Sequence, residues 1–166
     1  MTTLTYAEIG ATQREPLPRR YHHLRHRTRI GEGPEVFARA AEAILTFRMH
    51  RAAGARIRTD AQRAAPGVRL TVSLGPFTVP CQVVYVLDTP GRAGFGYGTL
   101  PGHQEHGEEA FIVETDPQGG VWFRVTAFSR PARWATVVAG PIAVAAQHAF
   151  ARHLARTLRR ICTVRA

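Results

Sequence analysis

Residues 94–111 read GFGYGTLPGHQEHGEEAF, and this stretch constrains the fold more tightly than any other. Gly94, Gly96 and Gly98 alternate with Phe95, Tyr97 and Thr99. A strand repeats every two residues, so the three glycines share one face and the aromatics share the other. A glycine inside a strand costs roughly 0.5–1 kcal/mol relative to alanine. Three on one face argue that something approaches that surface closely, or that space is left there. Read as space, the glycine face is the concave one and Tyr97 points outward. The strand then runs through Leu100, Pro101 and Gly102 into a turn that gathers His103, His106, Glu108 and Glu109. A bare face beside a polar rim is the pattern of a pocket wall.

Outward from this stretch the chain stays rich in strands. Val68 to Leu74, Cys81 to Leu87, Ala93 to Leu100, Glu109 to Thr115 and Val121 to Ser129 are strand-length and bounded by Gly, Pro or Asp, with Arg56 to Thr59 as a short addition. The short connections between them argue for an antiparallel meander. On the last strand, Val121, Phe123, Val125, Ala127 and Ser129 share the face expected to be core. Tyr21 to Ile30 reads as a first strand, and Pro34 then opens a helix that runs to about Arg51. Residues 1–20 form an extended lead-in that packs on the domain.

The longest helical pattern runs from Pro131 to about Ile161, kinked or split at Gly140-Pro141. Ala143, Ala146, Phe150, Leu154, Leu158 and Ile161 make one apolar stripe, with Arg152, Arg156, Arg159 and Arg160 opposite. The fold class is therefore α+β, a curved antiparallel sheet wrapped around a long C-terminal helix. This order of elements resembles the helix-grip arrangement of START and Bet v 1-like domains. The resemblance implies a cavity between the concave sheet face and the terminal helix.

The chain's 166 residues fit a single domain, 1–166, large enough to bury a core without disulfides. Cys81 and Cys162 stand apart, without metal or redox spacing, and no apolar run is long enough to span a bilayer. A cytoplasmic protein without a signal peptide is expected. The net charge of +10 raises nucleic acid as a partner. All 22 basic residues are arginine, however, and they are spread along the chain rather than gathered in a recognition motif. A nucleic-acid partner is not expected on this distribution.

Gly94, Phe95, Tyr97 to His103, Gly107 to Glu109 and Phe111 strongly resemble the signature of an uncharacterised bacterial and plant family, domain of unknown function nineteen-ninety. The resemblance continues at Tyr6 to Gly10, Leu17-Pro18, Gly31, Gly33 and Phe37. It resumes at Ala127 to Pro131, Gly140-Pro141 and Gln147. It implies family membership over nearly the whole chain and carries no reaction with it.

The chemistry of the turn stays open between three roles. His103 with Glu108 or Glu109 offers an acid–base group, because imidazole titrates near neutrality and burial raises a carboxyl toward it. The same residues can contact a ligand or simply tie the turn. Alternation along the strand places Glu108 and Glu109 on opposite faces, so only one of them faces the cavity. Arg130 is a candidate ion-pair partner for either. No metal site is expected, since neither HExxH nor paired CxxC spacing is present, and no cofactor is implied.

The expected function is binding of a small hydrophobic or amphipathic molecule between sheet and helix. Gly94, Gly96, Gly98, His103 and Phe150 are the candidate ligand-binding residues. The alternative is an enzyme of cyclase, hydrolase or isomerase type in the same cavity, with His103, Glu108 and Glu109 as candidate catalytic residues.

Overall fold

Alternation of large apolar residues with polar or small ones builds one seven-stranded antiparallel sheet in the computed structural model, which describes residues 3–133 and 140–163. The strands are β1 (His22–Glu32), β2 (Arg56–Arg58), β3 (Arg69–Leu74), β4 (Phe77–Thr89), β5 (Arg92–Thr99), β6 (Glu105–Thr115) and β7 (Gly120–Pro131). Their order across the sheet is β1-β7-β6-β5-β4-β3-β2, a meander from β2 to β7 with β1 returning to pair beside β7. Helices α1 (Pro34–Leu45) and α2 (Arg48–Ala52) join β1 to β2, and α3 (Gly140–Thr163) ends the described chain.

The inner face is built from alternate residues. Phe95 on β5, Phe111 and Val113 on β6, and Val121, Phe123 and Val125 on β7 pack with the three helices in one buried cluster. Burying each such side chain is worth about 1.5–3 kcal/mol, so this row dictates which way the sheet faces. Helix α3 contributes Ala151, Leu154, Ala155, Leu158 and Cys162 to the core. Its first turns are less covered: Phe150 is only half-buried, and Ala146, expected on the stripe, is exposed.

Two helix expectations need correction. The pattern from Pro34 to Arg51 is not one helix, because it breaks at Phe47, whose φ of 61° is left-handed. That conformation costs about 1–2 kcal/mol in a non-glycine residue. It turns the ring fully into the core, edge-on to Phe95 at 5.5 Å. Nor does the last helix begin at Pro131, which closes β7; α3 starts at Gly140. The part of that expected helix over 134–139 lies outside the described residues.

The larger correction concerns the glycines. Phe95 and Tyr97 face inward, so Gly94, Gly96 and Gly98 lie on the outer face. A β-carbon at Gly96 would collide with the Tyr85 ring, and one at Gly98 with the Tyr6 ring. At Gly94 it would strike the backbone of Phe111 and Ile112 on the neighbouring strand. The row accommodates two tyrosine rings and a close strand; it does not hollow out a cavity. A bulge helps to arrange this. The register of β4 against β5 shifts between Val83 and Tyr85, so Val83 joins the inner core while Tyr85 packs outside with Ala110 and Ile112. Residues of the lead-in cover the same outer face: Tyr6, Ala11 and Leu17 cluster with Phe128.

Candidate functional site

Where β5 and β6 approach the start of α3, the inner face carries polar side chains instead of the aromatic row. Tyr97 pairs in register with Glu109, one strand over. Together with Leu24, Cys81, Ala127 and Gln147 they wall a cavity of about 60 Å³. Its polar end is completed by His103 and Glu105 of the 100–109 hairpin and by Ser129 of β7. A smaller recess of about 20 Å³ shares Glu105, Ser129 and Gln147 and reaches Gly140 and Val144, so the cavity opens toward the first turns of α3. A larger dish of about 410 Å³ lies at the β2–β4 edge among Arg56, Arg58, Thr71, Ser73 and Thr78. It is a shallow solvent-facing surface, without the converging buried groups found at the smaller cavity.

The two adjacent glutamates have opposite surroundings. Glu108 points to the outer face and is 2% exposed. Its carboxylate accepts hydrogen bonds from the Tyr6 hydroxyl at 2.7 Å, the Gly10 N–H at 2.6 Å, the Thr12 N–H at 3.0 Å and the Thr12 hydroxyl at 2.5 Å. The Thr12 hydroxyl also meets the Tyr85 hydroxyl at 2.8 Å. Glu108 therefore fastens the lead-in to the sheet, and its carboxylate is not presented to the cavity. Glu109 faces inward and, among the described residues, accepts one hydrogen bond, from the Tyr97 hydroxyl at 3.3 Å. Burial pushes its carboxyl up to about 7, the Tyr97 bond pulls it partly back, and the charge of Glu105 adds to the rise. Burial, followed by the Glu109 charge, drives the Tyr97 hydroxyl well above its ordinary value. The same two causes push the Cys81 thiol up.

His103 lines the cavity, but its Nδ1 is occupied: it accepts the Glu105 N–H at 2.9 Å. The ring proton therefore sits on Nε2, and His103 reaches the cavity as a neutral donor. Burial, reinforced by His106, lowers its pKa to about 4. Of the three candidate glycines, Gly98 borders the cavity through its backbone, while Gly94 and Gly96 do not. Phe150 packs against the core from α3 and is not part of the wall. Arg130 pairs with neither glutamate; its guanidinium lies 5.4 Å from the Tyr21 ring centre. Among the described residues, no group of three or more His, Cys, Asp or Glu side chains is placed to hold a metal ion.

Residues 5–157 match the family model described as Domain of unknown function (DUF1990). The chain belongs to this family. A relative in Deinococcus radiodurans, described as a UPF0548 protein, is 38% identical to this DUF1990 chain over 168 residues, covering 93% of the chain and 85% of the relative. Among solved structures, a hypothetical protein from Helicobacter pylori superposes with a TM-score of 0.70 at 10% identity, covering 96% of each chain. Norcoclaurine synthase from Thalictrum flavum superposes with a TM-score of 0.57 at 9% identity, covering 83% of this chain and 94% of that one. At such identities the likeness shows the fold alone, which is the α+β helix-grip fold of START and Bet v 1-like proteins. No helix among the described residues is long and apolar enough to cross a membrane.

Sequence reasoning missed Tyr97, Cys81, Glu105 and Gln147 as wall residues. A usable signal was present in the row of Phe95, Phe111 and Val113: bulky apolar residues opposite the glycines mark the buried face. Taking that row as the core turns Tyr97 and Glu109 inward together.

Proposed function

We propose that this DUF1990 chain binds a small amphipathic molecule between the sheet and α3, with the polar end of the ligand against Glu109 and Tyr97. The observation that carries this reading is a partly buried carboxyl that has, among the described residues, one long hydrogen bond and is aimed into a cavity whose other wall is apolar. Pockets with a mainly apolar lining and a few convergent polar groups are the usual form of small-molecule sites. At about 60 Å³ the cavity has room for a polar head group. The remainder of the ligand would extend through the mouth between Ser129 and α3. The helix-grip fold supports this reading, since the space between its sheet and terminal helix is where such a ligand fits.

The test is native mass spectrometry of the gently purified protein, followed by thermal-shift assays with the extracted compound or an amphiphile panel. Gln147→Trp fills the mouth from a half-buried helix position, and it is expected to abolish binding while the protein remains folded. Unchanged binding by Q147W would refute the site.

One observation favours a second reading, an enzyme in the same cavity. A carboxyl poised near 7 can both give and take a proton at neutral pH. In that case Glu109 is the acid–base residue and His103 Nε2–H a hydrogen-bond donor to the substrate. Glu109→Gln would then retain ligand and lose turnover.

A further inference from the structure

The cavity wall runs against the charge of the whole molecule. The chain has 22 basic and 12 acidic residues. Yet the described wall of this cavity presents the carboxyl groups of Glu105 and Glu109 and no arginine. His103 adds no positive charge at neutral pH, because burial holds its pKa near 4. Elsewhere the protein saturates a buried carboxylate fully: Glu108, one residue away, receives four donors. Among the described residues Glu109 receives one, although a carboxylate has about four acceptor sites.

A neutral hydroxyl ligand could fill one of those sites and would bring no positive charge to meet the ionised carboxylate. A primary ammonium supplies three N–H donors and the missing positive charge together. The volume suits such a head group, and Leu24, Cys81 and Ala127 would cover the carbons next to it. Glu105, bonded by the Gln147 amide at 2.7 Å where the cavity opens, places further negative potential on the entry route.

We infer that the molecule bound in this cavity is an amine, held as its ammonium ion at Glu109 beside the Tyr97 hydroxyl. This rests on the binding reading above and names the chemical class of the ligand. Binding moves one proton: the ammonium selects the ionised carboxylate, and the Glu109 proton leaves to solvent. The other titratable groups facing Glu109 are Tyr97 from β5, Cys81 from β4, and Glu105 and His103 from the hairpin. Tyr97 and Cys81 are pushed upward and His103 downward, away from neutrality.

The experiment is calorimetric titration of the full chain with ethylamine, propylamine and butylamine against ethanol, propanol and butanol, in buffers of differing ionisation enthalpy. At pH 8 each amine is expected to bind at least tenfold more tightly than its alcohol. Between pH 7 and pH 6 amine affinity should fall by about fivefold as proton release approaches one per amine bound. Glu109→Gln should reduce each amine to the affinity of its alcohol. Equal binding of amines and alcohols overturns the amine inference and leaves the binding reading standing. So does an amine preference that survives in E109Q, or amine binding at pH 6 without proton release. Binding of neither class overturns both. The proton count is read on the unmodified chain, so the test holds even if E109Q folds poorly.

Discussion

Glu108 and Glu109 are neighbours in sequence and share a strand, yet they sit in different chemical worlds. On the outer face, Glu108 is enclosed by donors from Tyr6, Gly10 and Thr12, with Tyr85 one bond further out. On the inner face, Glu109 is only partly buried and has, among the described residues, a single 3.3 Å bond from Tyr97. A carboxylate saturated by donors is a fastening; one buried without them holds its proton and waits for a partner. The strand period of two residues is what separates the roles, and a shift of one residue in register would exchange them.

The strongest way to break this comparison is Glu108→Ala. It leaves a buried cluster of donors without an acceptor and frees the lead-in, so urea denaturation should show a loss of about 3–5 kcal/mol. A loss below about 1 kcal/mol, the scale of one ordinary hydrogen bond, would mean that the outer network is not a fastening.

Glu109→Gln should act in the opposite direction and depend on pH. The carboxyl of Glu109 is raised from 4.5 to about 7 on folding. Its stabilising contribution is therefore complete below pH 4.5 and lost as the pH rises through 7. Replacing it by a neutral amide should raise stability at pH 8 by about 3 kcal/mol, with little change near pH 5. His50, buried between Phe95 and Phe111 with its Nδ1 unpartnered, has the reverse slope. Its pKa falls to about 4 through burial and then the Arg51 charge, so stability present above 6.5 is lost as the pH falls toward 4. The two slopes oppose each other, and only the difference between wild type and E109Q isolates Glu109. A pH-independent difference would sink the assignment.

The smallest effect belongs to Gly98→Ala. The added methyl collides with the Tyr6 ring on the outer face and should cost about 1–3 kcal/mol in stability. Ligand affinity should change less than twofold. The converse result, intact stability with altered affinity, would return the glycine row to the cavity.

Much of the fold was legible in the sequence because punctuation and periodicity are local properties. Turn residues around Gly75-Pro76, Pro90-Gly91 and Asp116 to Gly120 bracket β3, β5 and β7 to within one or two residues. Pro80 hid the first part of β4, since proline reads as a breaker. Its carbonyl nonetheless accepts the Leu100 N–H, and it pairs with Thr71. The break at Phe47 was invisible because Ile44 and Phe47 keep helical spacing; only the space beside Phe95 turns the chain there. At the site, alternation separated Glu108 from Glu109 correctly. It could not say which side was inward, and the glycines suggested the wrong one. Small residues mark closeness as readily as emptiness, and Tyr6 and Tyr85 arrive from 92 and 11 residues away in sequence, Gly98 and Gly96 being their counterparts.

The bulge at Val84 gives β4 two phases within one strand. Up to Val83 its alternation is tied to the cavity, with Cys81 in the wall; from Tyr85 onward it is tied to the outer cover. The irregular residue acts as a clutch between two reading frames of side-chain direction. Substitutions on one side of it can drift with the cavity wall while those on the other side follow the lead-in. Loss of that one residue would couple the two frames, forcing the Tyr85 phenol toward the core or Cys81 out of the wall.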